Sequence, residues 1–269
     1  MFGARWRGNG SGGFRGRARA TLVGLTLVAL ILATVGVAAA VQLQTGSTFF
    51  KFDTRISPHR LSKTHTTPAT IRSFGRIFTT DGSPPLALKK VFVKLDRDLS
   101  VDTEGLPACK LVRIQAKDGQ SALRICRRAL VGRGSMETEI AFPGEVPVFA
   151  HGKVLIFNGG TRHGAVTLLV HSYLTSPVPA VAVTPVSIRR IRRGPYAQLA
   201  IATVPRVAGG AGAIVSFNAK IRRRYTLRGK RLSVVSSTCD HHRIRSQVKA
   251  IFSDGTSVQG GLVHGCSAR

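Results

Sequence analysis

Five residues near the carboxyl end carry the side chains of a metal site. Cys239, His241, His242, His264 and Cys266 fall within 28 positions, with Asp240 among them. Zinc chemistry would need thiolates or neutral imidazoles converging on one tetrahedral point. Cys239 with His241, and His264 with Cys266, are two positions apart, so each pair shares one face of a strand. The spacings C-x-H-H and H-x-C, however, match no zinc pattern. If the two cysteines are oxidised, only His241, His242 and His264 remain as ligands. The plain alternative is a disulfide with exposed histidines in a basic loop.

A second group, Asp96, Asp98, Asp102 and Glu104, puts four of the twelve acids into nine positions. Converging carboxylates suit Ca²⁺ or acid–base work on a glycoside. The EF-hand spacing is missing, and alternation places these residues on the outward, solvated side of a strand. Catalytic motifs are absent. The nearest to a nucleophile elbow, GRGSM (132–136), has Met where Gly is required, and neither H-E-x-x-H nor a P-loop occurs. No catalytic residue and no cofactor is assigned.

Cationic residues outnumber these groups. Lys and Arg total 40 against 12 acids, a net charge of +28. Three runs concentrate the charge: SIRRIRR (187–193), IRRRYTLRGKR (221–231) and HHRIR (241–245). The first two supply a candidate anion-binding set: Arg189, Arg190, Arg192, Arg193, Arg222, Arg223, Arg224, Arg228, Lys230 and Arg231. Aromatics are only 6% of the chain, too few to interleave as stacking platforms for single-stranded nucleic acid. No helix-turn-helix shows, so no specific nucleic-acid partner is expected. The partners that fit are an anionic envelope polymer or lipid. The competing reading is that these arginines keep edge strands soluble and unpaired.

The amino end sets the compartment. Residues 1–20 form a basic arm with five arginines and no acid, followed by TLVGLTLVALILATVGVAAAV from Thr21 to Val41 without a charge. A basic start, an apolar run and the small residues Ala38, Ala39 and Ala40 have the form of an export signal. The run is also long enough to span a bilayer. It reads as a signal peptide cut near Ala40 or as a signal anchor holding the chain in the membrane through 21–41. The basic side stays in the cytoplasm and the remainder lies outside. That remainder keeps 35 basic against 12 acidic residues, a net +23, so the charge belongs to the exported body.

Residues 42–68 read as a linker running into a first strand, and 69–269 as the exported domain, which either breaks into two subdomains near 176–185 or continues as one sandwich. Period-two alternation dominates from there on, the signature of strands. In KKVFVKLDRDLSVDTEG, the residues Val91, Val93, Leu95, Leu99 and Val101 point one way. KVLIFNGGTRHGAVTLLVHSYL reads as a hairpin turning at Asn158-Gly159-Gly160, and two further turns are expected at Arg228-Gly229 and Asp254-Gly255. One stretch has helical spacing: Ser121 caps it, Ala122, Ile125, Cys126 and Ala129 form its apolar side, and Gly132 stops it. The fold expected is an antiparallel β-sandwich, with a small helical hairpin packed on the sheet.

Four cysteines in an exported chain point to disulfides, and four allow three pairings. The local pairing, Cys109–Cys126 with Cys239–Cys266, fits the element reading best. Each bond would stabilise by about 3 to 3.5 kcal/mol on loop-closure entropy.

The export leader followed by LKKVFVKLDRD, GLPACKL, VGRGS, FPGEVPVFAHGKVLIFNG, FNAKIRRRY, SSTC and a closing FSDG…GC resembles a family of uncharacterised bacterial exported proteins. The resemblance covers most of residues 85–269. It implies export and a β-rich fold with paired cysteines, and it implies no catalytic residues. His241, His242 and His264 lie outside it. The reading that follows is a non-enzymatic envelope protein, anchored or secreted, binding an anionic surface through its basic face. Its rival is an exported hydrolase or metal-dependent enzyme built on the three histidines.

Overall fold

The computed structural model describes residues 40–176 and 179–268. The basic arm and the leader up to residue 39 lie outside them. Ala38–Arg269 is one compact unit, and both disulfides and all three apolar clusters lie within it.

Twelve strands form one antiparallel sheet. In chain order they are β1 (Val41–Thr45), β2 (Thr48–Ser57), β3 (Thr70–Thr79), β4 (Leu88–Asp96), β5 (Leu130–Ile140), β6 (Val148–Arg162), β7 (Ala165–Leu174), β8 (Ala180–Arg193), β9 (Tyr196–Thr203), β10 (Gly212–Ile221), β11 (Arg243–Phe252) and β12 (Ser257–Gly265). Their order across the sheet is β1-β2-β3-β10-β5-β6-β7-β8-β9-β4-β11-β12. The sheet curls until its first and last strands meet, giving a nearly closed barrel in place of the expected sandwich. Side chains close the seam: a Cβ on Gly260 of β12 would lie 2.6 Å from Leu43 and 2.8 Å from Val41 of β1. A glycine there lets the two edges approach, and an edge covered this way is not open to pairing with other chains.

Alternation decides what fills the barrel. In β2, Phe50, Phe52, Thr54 and Ile56 are buried while Lys51 and Arg55 are exposed. Val91, Val93 and Leu95 of β4 face the interior as the sequence implies, and Leu99 and Val101 border the same cavity from a separate short strand. Residues 42–68, read above as a linker, hold strand β2 and nearly all of β1, paired in full register. The stretch 176–185, read as a possible break, lies largely within β8, so one sheet continues through it.

Three long connections, 58–69, 97–129 and 222–242, leave the same end of the barrel. Parts of them pair there as a three-stranded sheet of Thr67–Pro68, Val235–Ser237 and Leu99–Val101. This sheet buries Val234, Val235, Leu61 and Ala69 and closes that end. The connection 97–129 also carries the helical hairpin, packed outside the barrel on Leu155, Phe157 and Leu169. Its helix starts one turn earlier than expected, at Gly119: Asp118, not Ser121, is the cap and accepts from the amides of Gln120 and Ser121. A carboxylate at that position satisfies two otherwise unpaired helical amides. The helix ends at Cys126 without help from Gly132, which already lies inside β5.

The β6–β7 turn falls at His163-Gly164, not at Asn158. Asn158 is buried in β6, where its amide nitrogen donates to the carbonyls of Leu106 (3.0 Å) and Pro107 (3.1 Å). It serves as a long-range anchor for the connection that carries Cys109. The turns at Arg228-Gly229 and Asp254-Gly255 form as the sequence implies.

Candidate anion-binding site

Both local disulfides are present. Cys109 and Cys126 have Cα atoms 5.5 Å apart, and Cys239 and Cys266 6.1 Å, inside the range a disulfide spans. No cysteine is left free, so thiolate chemistry at the carboxyl end is ruled out. His241 pairs with its neighbour Asp240 at 3.3 Å, and His242 turns the chain with a positive φ of 56°. His264 stands apart on β12, its Nε2 3.6 Å from Asp53 Oδ1 across the barrel seam. Burial lowers its pKa, more than the Asp53 carboxylate raises it, with Arg55 and His59 adding to the depression. Among the described residues no group of three or more His, Cys, Asp or Glu side chains converges as a metal site would require.

The acidic group is not a solvated face throughout. Asp96 and Asp98 are buried, at 4% and 9% exposure. Asp96 accepts from the amides of Asp98 (3.0 Å) and Arg245 (2.8 Å), and Asp98 from the amide of Asp240 (2.9 Å). They fasten the end cap to the first residues of β11. Period two failed here because β4 ends at Asp96, and the carboxylates turn inward to reach backbone donors far along the chain. Asp102 and Glu104 are exposed, as expected.

The basic runs separate in space. Arg189, Arg190 and Arg192 are exposed near the end of β8, where Arg190 borders a hollow that also holds Asp102 and Glu104. The backbone of Arg193 pairs with Tyr196. Arg228, Lys230 and Arg231 sit exposed at the tip of a small hairpin, Arg224–Leu227 with Lys230–Ser233.

Arg222, Arg223 and Arg224 do something different. They follow the end of β10 and line a cleft of about 980 Å³, whose other charged walls are Arg133 and Lys220. Among the described residues no carboxylate lines this cleft. Through Arg133 and Lys220 the strand register extends this charge into a row of four cations side by side. Arg55 on β2 faces Arg72 on β3, Arg72 faces Lys220 on β10, and Lys220 faces Arg133 on β5. With strands about 4.8 Å apart the row is about 14 Å long. Among the described residues, Arg55 alone of the four pairs with an acid, Asp53 at 3.1 Å. The positive charge of Arg72, followed by partial desolvation and the charge of Arg222, holds the Lys220 ammonium below its ordinary pKa.

Arg55, Arg72, Arg133 and Lys220 were not picked out from sequence. Arg133 and Lys220 are the lone cations of their strands, while Arg55 shares β2 with Lys51 and Arg72 shares β3 with Arg76, and only the pairing of the strands assembles the row. Comparison with known protein families, with curated proteins and with solved structures finds no match for this chain. The paired cysteines and the β-rich fold, which the family resemblance implied, are present without it.

Proposed function

We propose that this is an exported, non-enzymatic binding protein that holds an anionic envelope polymer on its basic face. The carrying observation is the row Arg72–Lys220–Arg133 with Arg222–Arg224 around it. Like charges placed directly opposite on adjacent strands cost stability. Among the described residues no acid pairs with Arg72, Lys220 or Arg133, so an external polyanion is the natural counter-charge, and binding it would release condensed counterions. The concave shape favours a chain with repeating charges over a planar bilayer. Two disulfides and no free thiol support an oxidising compartment, and residues 21–41 would supply the export signal or membrane anchor.

The test uses immobilised polyphosphate as the probe. Retention is expected in 50 mM salt and lost by 500 mM, where surface charges are screened. Lys220→Gln should weaken retention while raising the melting temperature at low salt, because it removes repulsion from both neighbours. Retention indifferent to salt, or undiminished in Lys220→Gln and Arg133→Gln, would sink the reading. Stronger binding to phosphatidylglycerol vesicles than to polyphosphate would point to lipid instead and also count against it.

A further inference from the structure

We propose that the barrel interior is a second binding site, one that takes an uncharged apolar chain. The premise is geometric. Eight strands make a barrel that side chains just fill, and wider ones leave a space. Here twelve strands curl round, and a cavity of about 280 Å³ remains between the walls. That is roughly twice the ~150 Å³ engineered cavity that stays dry and binds benzene.

The wall chemistry selects the ligand. Val93, Val170, Val186, Ala200, Phe217 and Ile221 border the cavity yet are only partly buried. Each has apolar surface with no protein atoms packed on it. Side chains facing a void forgo the dispersion contacts that a filled core supplies, and an apolar occupant restores them. Among the described residues no Lys, Asp or Glu borders the space. Its polar lining consists of hydroxyl residues and Asn218, Arg245 and His264. A core shaped only for stability would place larger side chains where Ala200, Ala202 and Ala219 line the wall. Cavity filling of this kind is among the easier routes to a more stable protein.

The two ends differ. One is closed by the three-stranded cap. Toward the other, Leu88, Val204 and Ile214 form the boundary between the cavity and a further hollow of about 300 Å³. Ala211, between Gly210 and Gly212 of that hollow, accepts the amide of Ala141 at the base of the β5–β6 hairpin (3.0 Å). This hairpin exposes Phe142, Val146, Val148 and Phe149. Contiguous exposed apolar residues on a soluble surface mark a contact with apolar matter, and here they flank the open end.

The experiment uses residues 40–269, which carry every strand, both disulfides and all three apolar clusters, with N-phenyl-1-naphthylamine as a neutral fluorescent probe. We expect saturable binding with one probe per chain. Ala200→Phe and, separately, Val186→Phe should weaken it at least tenfold, with melting temperatures equal to or above the parent showing that both variants are folded. If either variant fails to fold, displacement of the probe from the unaltered domain by dodecanol replaces it as the decisive reading, and failure to displace overturns the proposal. Lys220→Gln should bind the probe normally, which separates this site from the polyanion reading. Displacement by dodecanol but not by phosphatidylcholine vesicles assigns the occupant as a free apolar chain, and displacement by both assigns a lipid acyl chain. No saturable binding, or binding undiminished in both folded variants, refutes the site.

Discussion

Asp96 offers the sharpest test of how the barrel and its cap are joined. Its two carboxylate oxygens accept from the amides of Asp98 and Arg245 at 3.0 and 2.8 Å in a nearly buried setting. A hydrogen bond to a charged group contributes about 1.5–3 kcal/mol. Asp96→Ala removes both bonds and leaves two amides unpaired, so a loss of about 3–5 kcal/mol follows, the upper end reduced because water reaches Arg245. Asp96→Asn keeps one amide oxygen as acceptor and turns an NH₂ toward the other donor, for a loss of about 1.5–3 kcal/mol. In a unit of this size each kcal/mol moves the melting temperature by about 2–4 °C. The melting temperature followed by circular dichroism should then fall by about 3–12 °C for Asp96→Asn, and further for Asp96→Ala. Asp102→Asn serves as the control. Its carboxylate also accepts an amide, from Glu104 at 2.9 Å, but at an exposed site, where surface changes stay within about 0.5 kcal/mol. Equal melting temperatures for the Asp96 and Asp102 variants would show that burial does not set the value of these bonds and would refute the reasoning.

Two further outcomes are expected. Replacing Cys239 and Cys266 by Ala opens a link between residues 27 apart and should cost about 3.5 kcal/mol; a melting temperature unchanged from the parent would show that the end cap holds without its staple. Burial depresses the His264 pKa, so below about pH 6.5 the unfolded chain takes up the proton more readily than the folded one. Stability from this group is therefore full above pH 6.5 and declines as the pH falls. His264→Gln should flatten that part of a pH 5–8 melting series, and an identical slope in both proteins would contradict it.

Much of the architecture could be read from one residue to the next. Val91, Val93 and Leu95 face inward because a strand alternates its side chains, and that period is visible in the sequence. The turn at Asp254-Gly255 forms from local chemistry. Cys109 with Cys126 and Cys239 with Cys266 pair as their elements suggested, since each pair is near in sequence. Asn158 misled because the same amide that favours a turn also serves as a buried hydrogen-bonding group, and only its partners at Leu106 and Pro107 reveal which role it plays. Asp96 and Asp98 misled for the same reason: their partners at Arg245 and Asp240 lie more than 140 positions away.

The sequence by itself determined a charged, disulfide-linked chain of alternating strands, because composition, cysteine spacing and side-chain period are local properties. Tertiary structure decided what those strands enclose and what they display. Whether twelve strands make two sheets or one curled sheet depends on long-range pairing, and the interior cavity depends on how many strands curl round. Inserting β10 between β3 and β5 sets Lys220 between Arg72, 148 positions before it, and Arg133, 87 positions before it, in one row. Electrostatics acts through space, so a charge cluster of this kind exists only once the strands have found their neighbours.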